Sequence, residues 1–156
     1  MDGRNKAQFR QDIQDGIQTE RQIIWRWLNL TEATTGKRPA CVFNGCGSAE
    51  IFLTDEEVSA EADYVVEGIG KLEIKFSRPP FRHFHLKVSQ VESYVKQNAT
   101  ILMVHGWATD DPTFTLMAPD ILKRGLTLWP RIPFKGFGGK VALRIRKEEF
   151  IWRKLP

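Results

Sequence analysis

The stretch Asp63-Tyr-Val-Val-Glu-Gly-Ile-Gly-Lys-Leu-Glu-Ile-Lys75 decides the fold that this sequence predicts. A short apolar run precedes Gly-Ile-Gly, and apolar and polar residues alternate after it, which is typical of two β-strands joined by a turn. Side chains two positions apart on a strand share a face, so Glu73 and Lys75 point together. If the two strands pair as a hairpin, Asp63 comes to lie beside Glu73.

Further helices and strands are predicted on both sides of this stretch. Apolar residues at helical spacing indicate helices, and short β-branched or alternating runs indicate strands. Their order predicts a single domain over residues 1–156 of the α/β class, with a central mixed β-sheet flanked by helices. The predicted helices span residues 6–30, 87–97 and 120–124, and the predicted strands span residues 40–43, 51–53, 63–67, 72–76, 100–105, 113–117 and 141–146. The first two strands are expected to form a hairpin around residues 44–48.

The composition excludes several classes of protein. The chain has 156 residues, of which 42% are hydrophobic, and it has only two cysteines. No apolar run approaches the roughly 18 residues of a membrane span, and the polar first residues do not resemble a secretory signal. We therefore expect no membrane association and a reduced, cytoplasmic protein.

Charge is distributed unevenly along the chain. The formal net charge is +4, but residues 121–156 carry ten Lys and Arg against two acids. Residues 41–70 carry seven acids and no Lys or Arg. A basic C-terminal part suits phosphate binding, and an acidic centre suits a divalent cation. The simpler alternative is an uneven but fully solvated surface.

The Asp63 and Glu73 pair matches the needs of phosphodiester hydrolysis. That reaction needs a cation to neutralise the phosphate and a positioned water molecule to attack it. Mg²⁺ takes oxygen ligands, which Asp63, Glu73 and the carbonyl of Ile74 would provide. Lys75 would orient the water and stabilise the developing charge. The alternative is a strand with one polar face and a surface ion pair.

This arrangement resembles the signature of the PD-(D/E)xK nuclease superfamily, with Ala62 in place of the usual proline. The helix segment 16–21 resembles the opening helix of archaeal Holliday junction resolvases, and that resemblance implies that Glu20 joins the metal site. Gln90 and Tyr94 match the Gln-x-x-x-Tyr motif of RecB-like nucleases. The resemblance implies that Gln90 organises the site, while Tyr94 helps position the site or contacts nucleic acid.

The resemblance implies a restriction-endonuclease-like core and a Mg²⁺ (or Mn²⁺)-dependent DNA endonuclease. Duplex or branched DNA would be the substrate, in recombination, repair or mobile-element processing of a bacterial, archaeal or phage-infected cell. Cutting both strands with one site per chain calls for a homodimer. Two alternatives stay open: a non-catalytic nucleic-acid-binding module of the same fold, and an RNA-processing nuclease.

Basic and aromatic residues follow the predicted catalytic strand. Arg78, Arg82 and Lys87 are expected to contact the phosphate backbone. His83 and His85 are expected to be ordinary polar residues. Together with Cys41 and Cys46 they suggest a zinc site only weakly, because the spacing is not a standard one, and reduced cysteines are the expectation.

Overall fold

A computed structural model describes residues 5–44 and 62–156. Helix α1 (Lys6–Thr35) opens the described chain, and a capping box between Asn5 and Gln8 satisfies its first N–H groups. It runs through Gly16 and ends five residues later than the sequence predicts. Within this extension the Thr31 and Thr35 hydroxyls donate to carbonyls four residues back, so these side chains fit within the helix.

Nine strands and two further helices follow α1 in the described residues. The strands are β1 (Cys41–Phe43), β2 (Tyr64–Val66), β3 (Gly70–Phe76), β4 (His83–Lys87), β5 (Thr100–His105), β6 (Thr113–Met117), β7 (Arg131–Pro133), β8 (Val141–Arg146) and β9 (Arg153–Lys154). The helices are α2 (Val88–Lys96) and α3 (Pro119–Leu128), and short 3-10 helices lie at Lys135–Phe137 and Lys147–Glu149.

The larger sheet is mixed and has six strands in the order β1-β2-β3-β5-β6-β9. The predicted hairpin of β2 and β3 is confirmed, with Tyr64 opposite Leu72. The central pair, β3 and β5, is parallel, and the other pairs are antiparallel. The expected mixed α/β architecture is therefore present.

The predicted partner of β1 lies outside the described residues. Residues 51–53 were expected to pair with residues 40–43, around a turn at residues 44–48 that is described only at Asn44. Within the described chain β1 pairs with β2, with Val42 opposite Val65. Five of the seven acids of the acidic centre also lie outside the described residues: Glu50, Asp55, Glu56, Glu57 and Glu61.

A second sheet of three strands, β4-β8-β7, was not expected. The predicted strand at residues 141–146 is present as β8, but it belongs to this smaller sheet and pairs with β4. In β4 the buried Phe84 and Leu86 alternate with half-buried residues. This alternation is the usual strand signal, hidden in the sequence by the polar and aromatic character of the segment.

The two faces of the larger sheet bear separate hydrophobic clusters. On one face Ile23, Ile24, Trp27 and Leu28 of α1 pack with Leu72. On the other face, residues of α2, α3 and the smaller sheet pack against β5 and β6. The central strand β3 is therefore covered on both sides, and its polar residues lie close to the interior.

Only the C-terminal half of α1 is buried in this way. Phe9, Ile13 and Ile17 fit the predicted apolar stripe but are only half-buried. A cleft of about 670 Å³ opens beside that half, lined among others by Asp15, Thr19 and Arg78. Among the described residues, no helix combines the length and apolar character that crossing a bilayer requires.

Candidate active site

The hairpin register brings Asp63 next to Glu73. Tyr64 lies opposite Leu72, so the preceding residue, Asp63, reaches the level of Glu73. Its Oδ2 accepts a hydrogen bond of 3.3 Å from the backbone N–H of Ile74. In a strand the N–H and C=O of one residue point to the same side, so the Ile74 carbonyl also faces Asp63.

Glu73 is a buried carboxylate held on one oxygen. Its side chain is only 7% exposed, and Oε1 lies 2.9 Å from the Lys75 ammonium. The same oxygen accepts a hydrogen bond of 2.8 Å from the Tyr94 hydroxyl. The other oxygen, Oε2, is buried and has no hydrogen-bond partner among the described residues. A buried polar atom rarely lacks a partner, so a bound cation or a proton shared with the neighbouring Asp63 carboxyl would satisfy Oε2.

Lys75 is a fixed cation beside this carboxylate. Burial acts to lower its pKa, but the Glu73 carboxylate, Tyr94 and Asp63 more than reverse that effect, and the pKa is raised. Its side chain is 29% exposed, so the ammonium pairs with Glu73 while part of the side chain reaches solvent. At neutral pH Lys75 is protonated, and it can donate hydrogen bonds but cannot accept a proton.

Two further carboxyls, Glu20 and Asp63, lie within the electrostatic influence of the Glu73 carboxylate. Burial, followed by the charges of Asp63 and Glu73, raises the pKa of Glu20 to about 8, although Lys75 opposes this. Burial, the Glu73 charge and a side-chain hydrogen bond with Glu73 raise the pKa of Asp63 to about 7, against the lowering effects of the Ile74 N–H and of Lys75. Adjacent carboxylates repel one another when ionised, so the cluster favours a bound cation or proton.

The donor set suits a hard divalent cation. Mg²⁺ is usually held by one or two carboxylates, and water completes its coordination. Asp63, the free Oε2 of Glu73 and the Ile74 carbonyl supply oxygens of this kind. Over residues 5–44 and 62–156, no three His, Cys, Asp or Glu side chains are gathered as a ready-made metal site. Asp63 and Glu73 form the carboxylate centre, and Glu20 lies close enough for their charges to raise its pKa.

Gln90 and Tyr94, the two residues of the helix motif, contribute unequally to the site. Tyr94 is 3% exposed, and its hydroxyl positions Glu73. This burial does not favour the expected contact between Tyr94 and nucleic acid. Gln90 lies one turn earlier on α2 and is half-buried. In the part of the chain that the structure describes, its side chain makes no hydrogen bond to the carboxylates.

The three cations expected to contact phosphate are not brought into one group. The Arg78 guanidinium donates to the Thr19 hydroxyl of α1 at 3.4 Å. Arg82 lines a separate cleft of about 770 Å³ with residues 146–148 and Trp152. Lys87 ends β4, and its ammonium lies 5.2 Å from the centre of the Phe137 ring. Arg78 therefore lies apart from Arg82 and Lys87, which border the two ends of β4.

The histidines and Cys41 do not come together. Cys41 lies on β1 of the larger sheet and is a free thiol, whereas His83 and His85 lie on β4 of the smaller sheet. Cys46 is outside the described residues. The described chain therefore gives no support to the zinc alternative.

A role for a third histidine was missed in the sequence. His105 Nε2 accepts a hydrogen bond of 3.0 Å from the N–H of Phe81, which anchors the segment after β3. Burial and the charge of Lys147 lower the pKa of His105. The signal available in the sequence was the position of His105 at the end of the predicted buried strand, residues 100–105.

Comparison with known proteins adds no relative. No family model, no curated protein and no solved structure matches this chain.

Proposed function

We propose that this protein is a metal-dependent nuclease whose active site is the cluster of Glu20, Asp63, Glu73 and Lys75. The observation that carries the proposal is the buried Glu73, held on one oxygen by Lys75 and Tyr94 while the other oxygen is unpartnered in the described chain. A purely structural ion pair would use both oxygens, because an unpaired buried acceptor costs about 1–3 kcal/mol.

The residues of the cluster would have different roles in phosphodiester hydrolysis. Asp63, Glu73 and the Ile74 carbonyl would hold Mg²⁺ or Mn²⁺, and Glu20 adds negative charge near them. When bound, the cation supplies charge neutralisation at the phosphate and an activated water. Lys75 would donate to that water or to a phosphate oxygen, because its ammonium is already aligned by Glu73.

Tyr94 and Gln90 are positioning residues in this proposal. The Tyr94 hydroxyl keeps Glu73 Oε1 occupied, so that only Oε2 is left for a ligand. Gln90 lies one helical turn away, on the face of α2 that it shares with Tyr94. We expect Gln90 to act when substrate is bound.

DNA is the proposed substrate, and a homodimer would cut both strands of a duplex. Support comes from the basic C-terminal part of the chain and from the motif order, which resembles the PD-(D/E)xK nucleases. An RNA-processing nuclease would use the same carboxylates. A non-catalytic binding module would have no use for the unpartnered oxygen of Glu73.

A cleavage assay with a matched pair of variants tests the proposal. The substrates are duplex DNA, branched DNA, single-stranded DNA and RNA, each with Mg²⁺, Mn²⁺ or EDTA. The variants are Lys75→Ala and Lys96→Ala, since Lys96 is an exposed lysine at the end of α2. We expect metal-dependent cleavage that Lys96→Ala leaves intact and Lys75→Ala lowers by about a hundredfold or more.

The possible outcomes separate the candidate functions. Cleavage that survives Lys75→Ala would overturn the mechanism. Cleavage of RNA alone would favour the processing nuclease. Binding of nucleic acid without cleavage under any metal condition would favour the binding module. Sedimentation of the protein with and without duplex tests the homodimer.

A further inference from the structure

We propose that the outer face of the smaller sheet binds the sugar-phosphate backbone of duplex nucleic acid. This outer face consists of His83 and His85 on β4 and Arg144 and Arg146 on β8. It lies on the side of the sheet opposite the hydrophobic cluster that contains Tyr94. The identity of the ligand rests on the proposed nuclease function.

The strand register sets the two histidines opposite the two arginines. His83 pairs with Arg146, and His85 pairs with Arg144. The intervening Phe84 and Ile145 are buried on the core side, so the four polar side chains share the solvent side. Burial and the charge of Arg144 lower the pKa of His85, so the positive charge that an anion would meet here is that of Arg144 and Arg146. An anion lying along both strands would pair with these two guanidinium groups.

The loop between β7 and β8 supports this face. The Phe134 ring stacks on the His85 ring with their centres 4.0 Å apart and their planes 11° apart. Phe137 packs edge-on against Phe134, with ring centres 4.9 Å apart. These contacts fix the orientation of the His85 ring beside Arg144 before a ligand arrives.

The arrangement of the rings favours phosphate over bases. Base stacking needs an aromatic face open to the ligand. One face of Phe134 is covered by His85, and the Lys87 ammonium lies over the Phe137 ring. These ring faces are therefore occupied, and the exposed guanidinium groups suit phosphate oxygens.

The electrostatics of the face are consistent with an anionic partner. Arg144 is exposed and has no ion-pair partner among the described residues. Arg146 pairs with Glu148 at 3.2 Å, but both side chains are largely exposed, at 64% and 74%. Such an exposed pair contributes about 0–1 kcal/mol, so a phosphate can replace Glu148 at little cost.

Salt-dependent binding to a labelled duplex of about 30 base pairs tests the proposal. Fluorescence anisotropy in EDTA measures binding without cleavage, from about 0.05 to 0.4 M salt. Each phosphate contact contributes ~0.9 to the slope of log K against log salt. The double variant Arg144→Gln/Arg146→Gln should therefore lower the slope by ~1.8 and weaken binding roughly 60-fold at 0.1 M salt, for affinities that converge near 1 M.

Two controls isolate the face from net charge. Lys123→Gln/Arg124→Gln removes the same charge from exposed positions on α3 and should change the slope by less than half as much. Arg144→Lys keeps the charge and should keep the slope. Thermal unfolding checks that every variant is folded, and exposed substitutions of this kind usually cost little stability.

The outcomes distinguish this proposal from the nuclease proposal. Equal slope changes in both double variants, an unchanged slope in the Arg variant, or no duplex binding by the wild type would each overturn the docking face. Binding to vesicles of anionic lipid in place of duplex would overturn it as well. A lower salt-dependence slope in Arg144→Gln/Arg146→Gln alone, with no cleavage by the wild type, would support the docking face and overturn the nuclease proposal.

Discussion

Removal of the Tyr94 hydroxyl is the most direct test of how the carboxylate centre is held. Tyr94→Phe keeps the buried ring and deletes only the donor that lies 2.8 Å from Glu73 Oε1. The ring is 3% exposed, so water has little access to replace the lost donor. The variant isolates a single hydrogen bond between α2 and the central strand.

The expected loss of stability follows from the surroundings of Glu73. A hydrogen bond to a charged group contributes about 1.5–3 kcal/mol. Lys75 still pairs with Oε1 in the variant, so the carboxylate keeps one partner and the loss should be about 2 kcal/mol. For a chain of 156 residues this lowers Tm by about 4–8 °C, at about 2–4 °C per kcal/mol.

Urea and thermal unfolding of metal-free protein measure this loss against a matched control. Tyr64 is also buried, at 5% exposure, and lies on β2 of the same sheet. Its hydroxyl makes no hydrogen bond within the described residues. Tyr64→Phe should therefore stay within about 0.5 kcal/mol of the wild type.

Equal stability of the two variants would refute this reasoning. It would mean that the hydroxyl of Tyr94 contributes nothing to holding Glu73. A double-mutant cycle with Glu73→Gln adds a second readout, because neighbours in one hydrogen-bond network show a coupling of about 0.5–3 kcal/mol. A coupling near zero would also contradict the contact.

Four further outcomes follow from the same structure. In metal-free protein, stability should fall as pH rises from about 5 to 8, because burial and neighbouring carboxylates raise the pKa of Glu20 to about 8 and of Asp63 to about 7. The folded chain then binds more protons than the unfolded chain, so the free energy of unfolding falls with pH, by up to ~1.4 kcal/mol per pH unit for each group. Urea midpoints across this range test the prediction, and a rise in stability with pH would contradict it. Mg²⁺ binding near pH 6.5 should release protons, which calorimetry in buffers of different ionisation enthalpy should detect. A heat of binding that does not depend on the buffer would contradict metal binding at the carboxylate centre. Gly16→Ala should raise stability by about 0.5–1 kcal/mol, since its added Cβ meets open space. Gly125→Ala should lower stability, because its Cβ would lie 2.2 Å from the Trp129 ring; equal rises in Tm would contradict that packing.

The carboxylate centre could be predicted largely from local pattern. Strand periodicity placed Glu73 and Lys75 on one face, and the Gly-Ile-Gly turn set the register that brings Asp63 beside them. These relations depend on residues close in the chain, where backbone geometry alone decides which side chains meet. The sequence could not show that Glu73 is buried, because burial depends on α2 lying above β3.

The smaller sheet shows the opposite case. Its strands β4 and β8 are separated by more than fifty residues, and no local signal indicates that His85 faces Arg144. The segment at residues 83–87 does alternate, but its histidines and lysine concealed the pattern. Pairing of such distant strands is decided by the core that they cover together, here through Phe84, Leu86 and Ile145.

The amino-acid order therefore specified the strand faces, the β2–β3 hairpin and the presence of α1, because each arises from backbone periodicity over a few residues. Tertiary packing alone decided that Tyr94 binds Glu73, that the N-terminal half of α1 stays outside the core, and that a basic sheet face forms. Those features join segments far apart in the chain, and their contacts form only when the whole core excludes water.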